Sequence, residues 1–141
     1  QDFRIKKDEL GQPYGMNKQK KYYVSIAHTK QTVFCGISEQ QAIGIDVEPV
    51  DRTVSGRLER RILHPDETES GLDIKPIRLW TIKEAFIKLR GQGLRMNMND
   101  VHVRQKGNYF VVEMNDDKRA KICSFRLENN WLAIAFFSNK D

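Results

Sequence analysis

The sequence predicts an α+β domain in which an antiparallel sheet packs on one long helix. Apolar residues alternate with a period of two in the first and last thirds of the chain, and recur every three or four residues in the middle. Strands, then helices, then strands is the order expected of an α+β fold. Because 141 residues suffice for one hydrophobic core, we place a single domain at residues 1–141.

The first third of the chain predicts a β meander. Its strands are residues 2–7, 22–28, 32–37 and 42–48. Glycine and proline mark a turn at 11–15, and the polar residues 38–41 join the last two strands.

The middle of the chain predicts helices. Ser55 is a suitable N-cap for a helix that ends at Leu63, and Pro65 begins a second, short helix. A third helix is predicted from about Ile77 to Arg90. Gly91 and Gly93 follow it as stop signals.

The third helix carries both an apolar stripe and a charged pair. Glu84 and Lys88 are four residues apart and lie roughly opposite the stripe, in the orientation of an ordinary exposed ion pair. That pair is structural unless other residues face it. The stripe consists of Leu79, Ile82, Phe86 and Leu89.

The last third returns to a period of two. Its predicted strands are residues 101–104, 109–114, 121–127 and 131–137, with turns at 106–108, 115–117 and 128–130. We expect both groups of strands to share one sheet.

Composition narrows the classes of function. The net charge of +5 favours an anionic partner, which leaves a nucleic acid, an acidic protein or a phosphorylated cofactor open. Basic residues without interleaved aromatics disfavour nucleic acid. No apolar run approaches the roughly 20 residues of a membrane span, and no signal peptide is visible, so the sequence predicts a cytoplasmic protein. Cys35 and Cys123 are expected to be buried free thiols.

A second group of acids lies on the strand at 43–48. Its period places Gly44, Asp46 and Glu48 on one face, where two like charges need water, a basic residue or a cation. We interpret Gly44 as leaving room for a ligand. Together with Glu84, the acids form an oxygen-rich set that suits Mg²⁺ and phosphate.

Two motifs resemble those of the 4′-phosphopantetheinyl transferases. The first runs from Gly44 to Glu48 and reads Gly-Ile-Asp-Val-Glu, and the second runs from Trp80 to Lys88, followed by Gly91-Gln92-Gly93. The stretches 11–13 and 25–29 are similar to further motifs of the larger, surfactin-synthetase-activating type. The resemblance therefore covers nearly the whole chain.

The resemblance implies Mg²⁺-dependent transfer of 4′-phosphopantetheine from coenzyme A to a carrier-protein serine. Glu84 would act as base and Lys88 would also serve catalysis, while Arg52 would face an acidic carrier protein. The implied metal ligands are Asp46, Glu48 and Glu84, and the implied coenzyme A contacts are Gly11, Pro13, His28, Thr29, Lys83 and Lys88. His64 and His102 match no motif, and we interpret them as structural.

Departures from the family leave an alternative open. Gln12 stands where the family has lysine, and Ala27 replaces a serine. The larger type also has an additional N-terminal half, so the resemblance implies either a homo-oligomer or a missing N-terminal portion. A catalytically degenerate module that binds coenzyme A or a carrier protein is the alternative.

Overall fold

A computed structural model describes residues 2–70, 72–91, 97–114 and 118–138. Within them, strands precede and follow a group of helices, which confirms the predicted α+β class. No helix in these ranges is long and apolar enough to cross a membrane. The predicted turn at 115–117 and the predicted stop at Gly93 lie outside the described residues.

The secondary structure follows the predicted order. The first strands are β1 (Phe3–Lys7), β2 (Pro13–Asn17), β3 (Lys20–His28), β4 (Val33–Ser38) and β5 (Ile43–Pro49). The helices are α1 (Gly56–Ile62), α2 (Pro65–Ser70) and α3 (Pro76–Arg90), and a 3-10 turn covers Met98–Asp100. The last strands are β6 (His102–Lys106), β7 (Tyr109–Glu113), β8 (Arg119–Leu127) and β9 (Asn130–Phe137). Strand β2 occupies much of the predicted turn at 11–15. The sequence did not predict this strand, because Pro13 and Gly15 interrupt the alternation of residues that marks a strand.

The strands form two antiparallel sheets, so the expectation of one shared sheet is wrong. Sheet 1 has the order β1-β2-β3-β4, and sheet 2 has the order β5-β9-β8-β7-β6. Strand β5 leaves its sequence neighbour β4 and pairs with β9, with Asp46 opposite Ala133. Its apolar residues, Ile45 and Val47, pack against Ala27 and Leu132 in a cluster that joins the two sheets. Both faces of β5 are therefore covered.

Helix α3 lies at the centre of the molecule. The predicted stripe is buried, but Thr81, Lys83, Ala85 and Ile87 are buried as well, so the helix has no broad solvent face. It packs against β5, β9 and β8. The helix begins at Pro76, one residue before the predicted start, and Gly91 closes it as predicted with a left-handed φ of 70°.

Two further sequence expectations have opposite outcomes. Ser55 caps α1 as predicted, because its Oγ accepts a hydrogen bond from the Leu58 amide at 3.2 Å. The predicted burial of Cys35 and Cys123 is wrong, since both thiols are exposed. They stand at outward positions in strands whose alternate residues face the interior.

Candidate active site

The site begins where β5 meets α3 at Gly44. A Cβ atom on this glycine would lie 2.1 Å from the Ala85 carbonyl oxygen and 2.6 Å from the Leu89 amide nitrogen. Only a residue without a side chain permits this approach of helix to strand. The space beside Gly44 is thus filled by α3 and not by a ligand, which corrects the sequence interpretation. The contact aligns Asp46 and Glu48 with the helix.

Three carboxylates and one amine gather at this junction. Asp46 is buried and Glu84 partly buried, and each interacts electrostatically with Glu48 and with Lys88. The Lys88 Nζ donates to the Ile26 carbonyl oxygen at 3.2 Å and to Asp46 Oδ1 at 3.3 Å. The structure therefore brings together the residues predicted as metal ligands and the lysine predicted beside them.

Burial dominates the protonation of these acids. It raises the pKa of Asp46 from 3.8 to about 7, against the lowering effect of Lys88, and Glu84 and Glu48 raise it further. Burial also raises the pKa of Glu84, which Lys88 opposes and Glu48 reinforces. One lysine thus leaves the cluster of acids incompletely neutralised.

The cluster fits a divalent cation with oxygen ligands. Asp46 Oδ2 is buried and has no hydrogen-bond partner in the structure, while Oδ1 is held by Lys88. A buried carboxylate oxygen without a donor is costly unless a cation completes it. Carboxylates without an adjacent imidazole or thiolate form the donor set that Mg²⁺ accepts. Asp46, Glu48 and Glu84 are the residues that would hold it.

Glu48 is also joined to Arg52. The Arg52 Nη1 donates to Glu48 Oε1 at 2.7 Å, and the guanidinium lies 5.9 Å from the centre of the Trp80 ring. The Arg52 side chain remains 47% exposed, which keeps it accessible at the rim of the site. Arg52 therefore neutralises Glu48 in part, a contact that the sequence interpretation did not include.

An open cleft of about 820 Å³ leads from Glu48 to the end of β3. His28 and Thr29 line one side of it, and the β8–β9 turn at 128–130 lines another. The Thr29 Oγ1 accepts hydrogen bonds from the amides of Gln31 and Thr32 at 3.2 and 3.1 Å, which shapes the loop. The structure thus places both predicted contacts in one cleft with Glu48.

The turn at Gly11 and Pro13 lies elsewhere. Among the described residues, neither lines the cleft. Between them, the Gln12 Nε2 donates to the Gly91 carbonyl oxygen at the end of α3. Gly11 adopts a left-handed φ of 83°, which glycine tolerates. The turn therefore reaches the site through the end of α3, three residues after Lys88.

Lys83 does not face the acidic cluster, so its predicted phosphate contact is wrong. Its side chain is fully buried, and Nζ donates to the carbonyl oxygens of Ile62 and Met98 and to Glu67 Oε1. Three acceptors use all three protons of the ammonium group. Burial lowers the pKa of Lys83, and Glu67 opposes this shift. The helical turn of α3 sends Lys83 and Lys88 to different surroundings.

Glu67 is a structural residue that sequence reasoning missed. Its Oε1 accepts from the His64 amide at 2.8 Å and from Lys83, and its Oε2 accepts from the Val103 amide at 2.7 Å. These bonds tie α2, α3 and β6 together behind the site. An acid in a short polar helix gives no signal of this role, since its partners are distant in sequence.

Comparison with known proteins agrees with the motifs. Residues 42–136 match the family model of the 4′-phosphopantetheinyl transferase superfamily. The chain is 28% identical over 109 residues to the 4′-phosphopantetheinyl transferase Sfp of Bacillus subtilis, covering 73% of this chain and 48% of that protein. It is 24% identical over 121 residues to the 4′-phosphopantetheinyl transferase gsp of Aneurinibacillus migulanus, covering 81% and 49% respectively. The chain therefore spans about half the length of these relatives.

Solved structures support the fold. Holo-acyl-carrier-protein synthase of Thermotoga maritima superposes with a TM-score of 0.53 at 22% identity, covering 70% of this chain and 63% of that one. Holo-ACP-synthase of Plasmodium yoelii superposes with a TM-score of 0.51 at 16% identity, covering 70% and 94%. With a family match over more than half of its residues and the strand–helix site on the matched segment, the chain belongs to the 4′-phosphopantetheinyl transferase superfamily.

Proposed function

We propose that this protein transfers 4′-phosphopantetheine from coenzyme A to a serine of a carrier protein, in a Mg²⁺-dependent reaction that releases 3′,5′-ADP. One observation carries the proposal: Asp46, Glu48 and Glu84 meet at the β5–α3 junction, and Asp46 Oδ2 has no hydrogen-bond partner among the described residues. When bound there, Mg²⁺ would draw negative charge from the phosphate oxygens.

The chain's own residues supply a place for the substrate. We propose that the cleft beside Glu48 receives coenzyme A, with His28 and Thr29 toward its phosphates. Lys88 has a side chain that is 34% exposed, so its ammonium group can reach a pyrophosphate while it also holds Asp46. The charge of the substrate supports this arrangement, because coenzyme A is polyanionic and the chain carries a net charge of +5.

Glu84 is the proposed base. The carrier serine oxygen would attack the β-phosphorus of coenzyme A and give its proton to Glu84, and the bond to the departing 3′,5′-ADP would break. A raised pKa brings a carboxylate closer to the operating pH, where a base is most effective. The environment of Glu84 thus supports the role that the family resemblance implies.

The partner is proposed to be an acidic carrier protein. Arg52 is accessible beside Glu48 and offers a cation at the rim of the cleft. A cytoplasmic location belongs to the same proposal, since Cys35 and Cys123 are exposed free thiols of the kind that reducing compartments preserve.

The test is the mass of a carrier protein incubated with the enzyme, coenzyme A and Mg²⁺. We expect one phosphopantetheine to be added by the wild type, and a rate lower by about 10²–10⁴-fold for Glu84→Gln. Glu113→Gln on β7 is the matched control and should keep the wild-type rate.

Two outcomes would count against the proposal. Equal transfer rates for Glu84→Gln and the wild type would show that Glu84 is not the base. Binding of coenzyme A by calorimetry without any product would instead favour the catalytically degenerate binding module. Melting temperatures of both variants would separate a lost base from a lost fold.

A further inference from the structure

A second group of metal-ligating side chains lies outside the acidic site. His64, Asp66 and His102 place one potential ligand atom each within 4.8 Å of one another. The Nδ1 atoms of His64 and His102 lie 3.9 and 4.0 Å from Asp66 Oδ2. The two imidazole rings stack with their centres 4.8 Å apart. Donors from two distant segments of the sequence, residues 64–66 and residue 102, therefore converge on one point of the surface.

The backbone around this group is held by Glu67. Its two carboxylate oxygens accept hydrogen bonds from the His64 amide and from the Val103 amide, next to His102. Lys83 fixes Glu67 from inside the protein with a bond of 2.8 Å. The positions of both histidines are thus set by a buried network before any ligand binds, which lowers the cost of binding.

The His64 ring has a defined proton position when neutral. The Asp66 amide donates to His64 Nδ1 at 3.0 Å, so this nitrogen carries a lone pair and not a proton. An unprotonated ring nitrogen is the form that coordinates a metal. Binding through Nδ1 would exchange the hydrogen bond for a metal bond.

The donor set selects the kind of metal. Two imidazoles and one carboxylate suit Zn²⁺ and similar transition metals, whereas Mg²⁺ prefers oxygen ligands alone. Bonds of about 2.0–2.1 Å in a tetrahedral site place donor atoms roughly 3.4 Å apart. The observed separations from Asp66 exceed this value by about half an ångström, and all three ligand atoms lie within 4.8 Å of one another.

We propose that His64, Asp66 and His102 form a binding site for a transition-metal ion of the Zn²⁺ class, separate from the Mg²⁺ site proposed at Asp46. Three protein ligands leave a fourth position for water. The Asp66 side chain is 61% exposed, so the site is open to solvent. A bound ion would join the loop after α1 to the start of β6.

The test is Zn²⁺ titration against a chromophoric chelator. Because exposed thiols also bind zinc, the titration uses a Cys35→Ser/Cys123→Ser background. We expect the protein to bind one equivalent of Zn²⁺. His102→Ala and Asp66→Asn should each lower the Zn²⁺ affinity at least about tenfold, because even the loss of a residue that only supports a metal ligand costs about that much.

Asp46→Asn is the matched control for Asp66→Asn, and His28→Ala is the matched control for His102→Ala, because each removes the same kind of side chain outside the proposed Zn²⁺ site. Both should retain the Zn²⁺ affinity of the background protein. Failure of that protein to compete with the chelator would overturn the proposal, and so would unchanged binding in both His102→Ala and Asp66→Asn. Loss of Zn²⁺ binding in Asp46→Asn would assign the ion to the acidic site. Circular dichroism without metal checks that each variant is folded.

Discussion

At the scale of single residues, Asp46 is placed where its charge is costly to the protein. Its carboxylate is buried beside Glu84 and Glu48, and within the described part of the chain only one of its oxygens has a donor. Such an arrangement lowers stability, and this cost is expected at a residue whose charge serves the proposed cation site. Stability and binding should therefore respond in opposite directions when this charge is removed.

We predict that Asp46→Asn stabilises the metal-free protein above neutral pH. The pKa of Asp46 is 3.8 unfolded and about 7 folded, so across this window the folded state keeps a proton that the unfolded state has lost. The wild type therefore loses free energy of unfolding as pH rises from about 4 to 7, and asparagine avoids this loss. Urea denaturation with a chelator should show a difference between the two proteins that grows from pH 4 to pH 8.

A difference that does not depend on pH would contradict the assignment. The same variant should bind Mg²⁺ more weakly than the wild type at pH 8. This second measurement separates a stabilised site from a rearranged one.

Lys83 and Lys88 form a matched pair for mutation, because they share one helix and differ in environment. We predict that Lys83→Met lowers the free energy of unfolding by about 3–5 kcal/mol, since it leaves Glu67 buried without its cation. Lys88→Met should lower the free energy of unfolding much less, because the Lys88 side chain is 34% exposed. It should reduce the rate of transfer, because the proposed contact to the pyrophosphate is lost.

Urea denaturation and the carrier-protein assay measure the two effects. If Lys83→Met kept the wild-type stability and raised the KM for coenzyme A, the result would contradict the structure and support a phosphate contact by Lys83.

The residues of the site differ in how far sequence could predict them. Strand alternation and the family motifs predicted that Asp46, Glu48, Glu84 and Lys88 would meet, and the structure brings them together. Lys83 could not be assigned correctly, because its direction depends on Glu67, which is sixteen residues away and matches no pattern.

At the scale of elements, the contact between α3 and β5 determines the geometry of the site. We predict that Gly44→Ala moves the helix from the strand, since the added Cβ would meet backbone atoms that cannot turn aside. Overpacking of this kind costs about 1–3 kcal/mol or more. Transfer activity should fall together with the melting temperature.

Gly56→Ala is the control at the first residue of α1. A Cβ there meets only an Arg60 side-chain atom at 3.8 Å, and alanine favours a helix, so stability should be equal or higher. A Gly44→Ala protein with full activity would mean that the site tolerates a displaced helix.

At the scale of the whole molecule, the outer face of sheet 1 carries several exposed apolar side chains. The strand register places Ile5 and Ile37 on the same face, and they are 49% and 52% exposed. Phe3 and Val33 are 37% and 69% exposed on the same sheet. Exposed apolar patches of this kind mark surfaces that another chain or segment covers.

We predict that the chain of residues 1–141 forms a homo-oligomer. Its solution mass should be a multiple of 16.5 kDa, measured by light scattering with and without coenzyme A and Mg²⁺. Ile5→Lys with Ile37→Lys should lower that mass, because charges on the covered face would have to be desolvated. Lys6→Glu on the exposed strand β1 is the control, and a strict monomer would contradict the prediction.

The element types of this fold could be predicted, but the pairing of its sheets could not. Periodicity located eight of the strands and the helices, because it records which faces are buried. It does not record which strand lies beside which. Strand β5 therefore could not be assigned to β9 rather than β4 from the sequence, and sheet 2 was not separated from sheet 1.

The position of β9 has a consequence for the order in which the protein is made. Strand β9 lies between β5 and β8, so among the described strands β5 has no partner in its own sheet until residues near 137 have been synthesised. During translation, Asp46 and Glu84 leave the ribosome long before the strand that completes their support. Pairings between distant segments form slowly, and unpaired strand edges invite wrong partners. The nascent chain is thus exposed to misassembly until β9 pairs with β5.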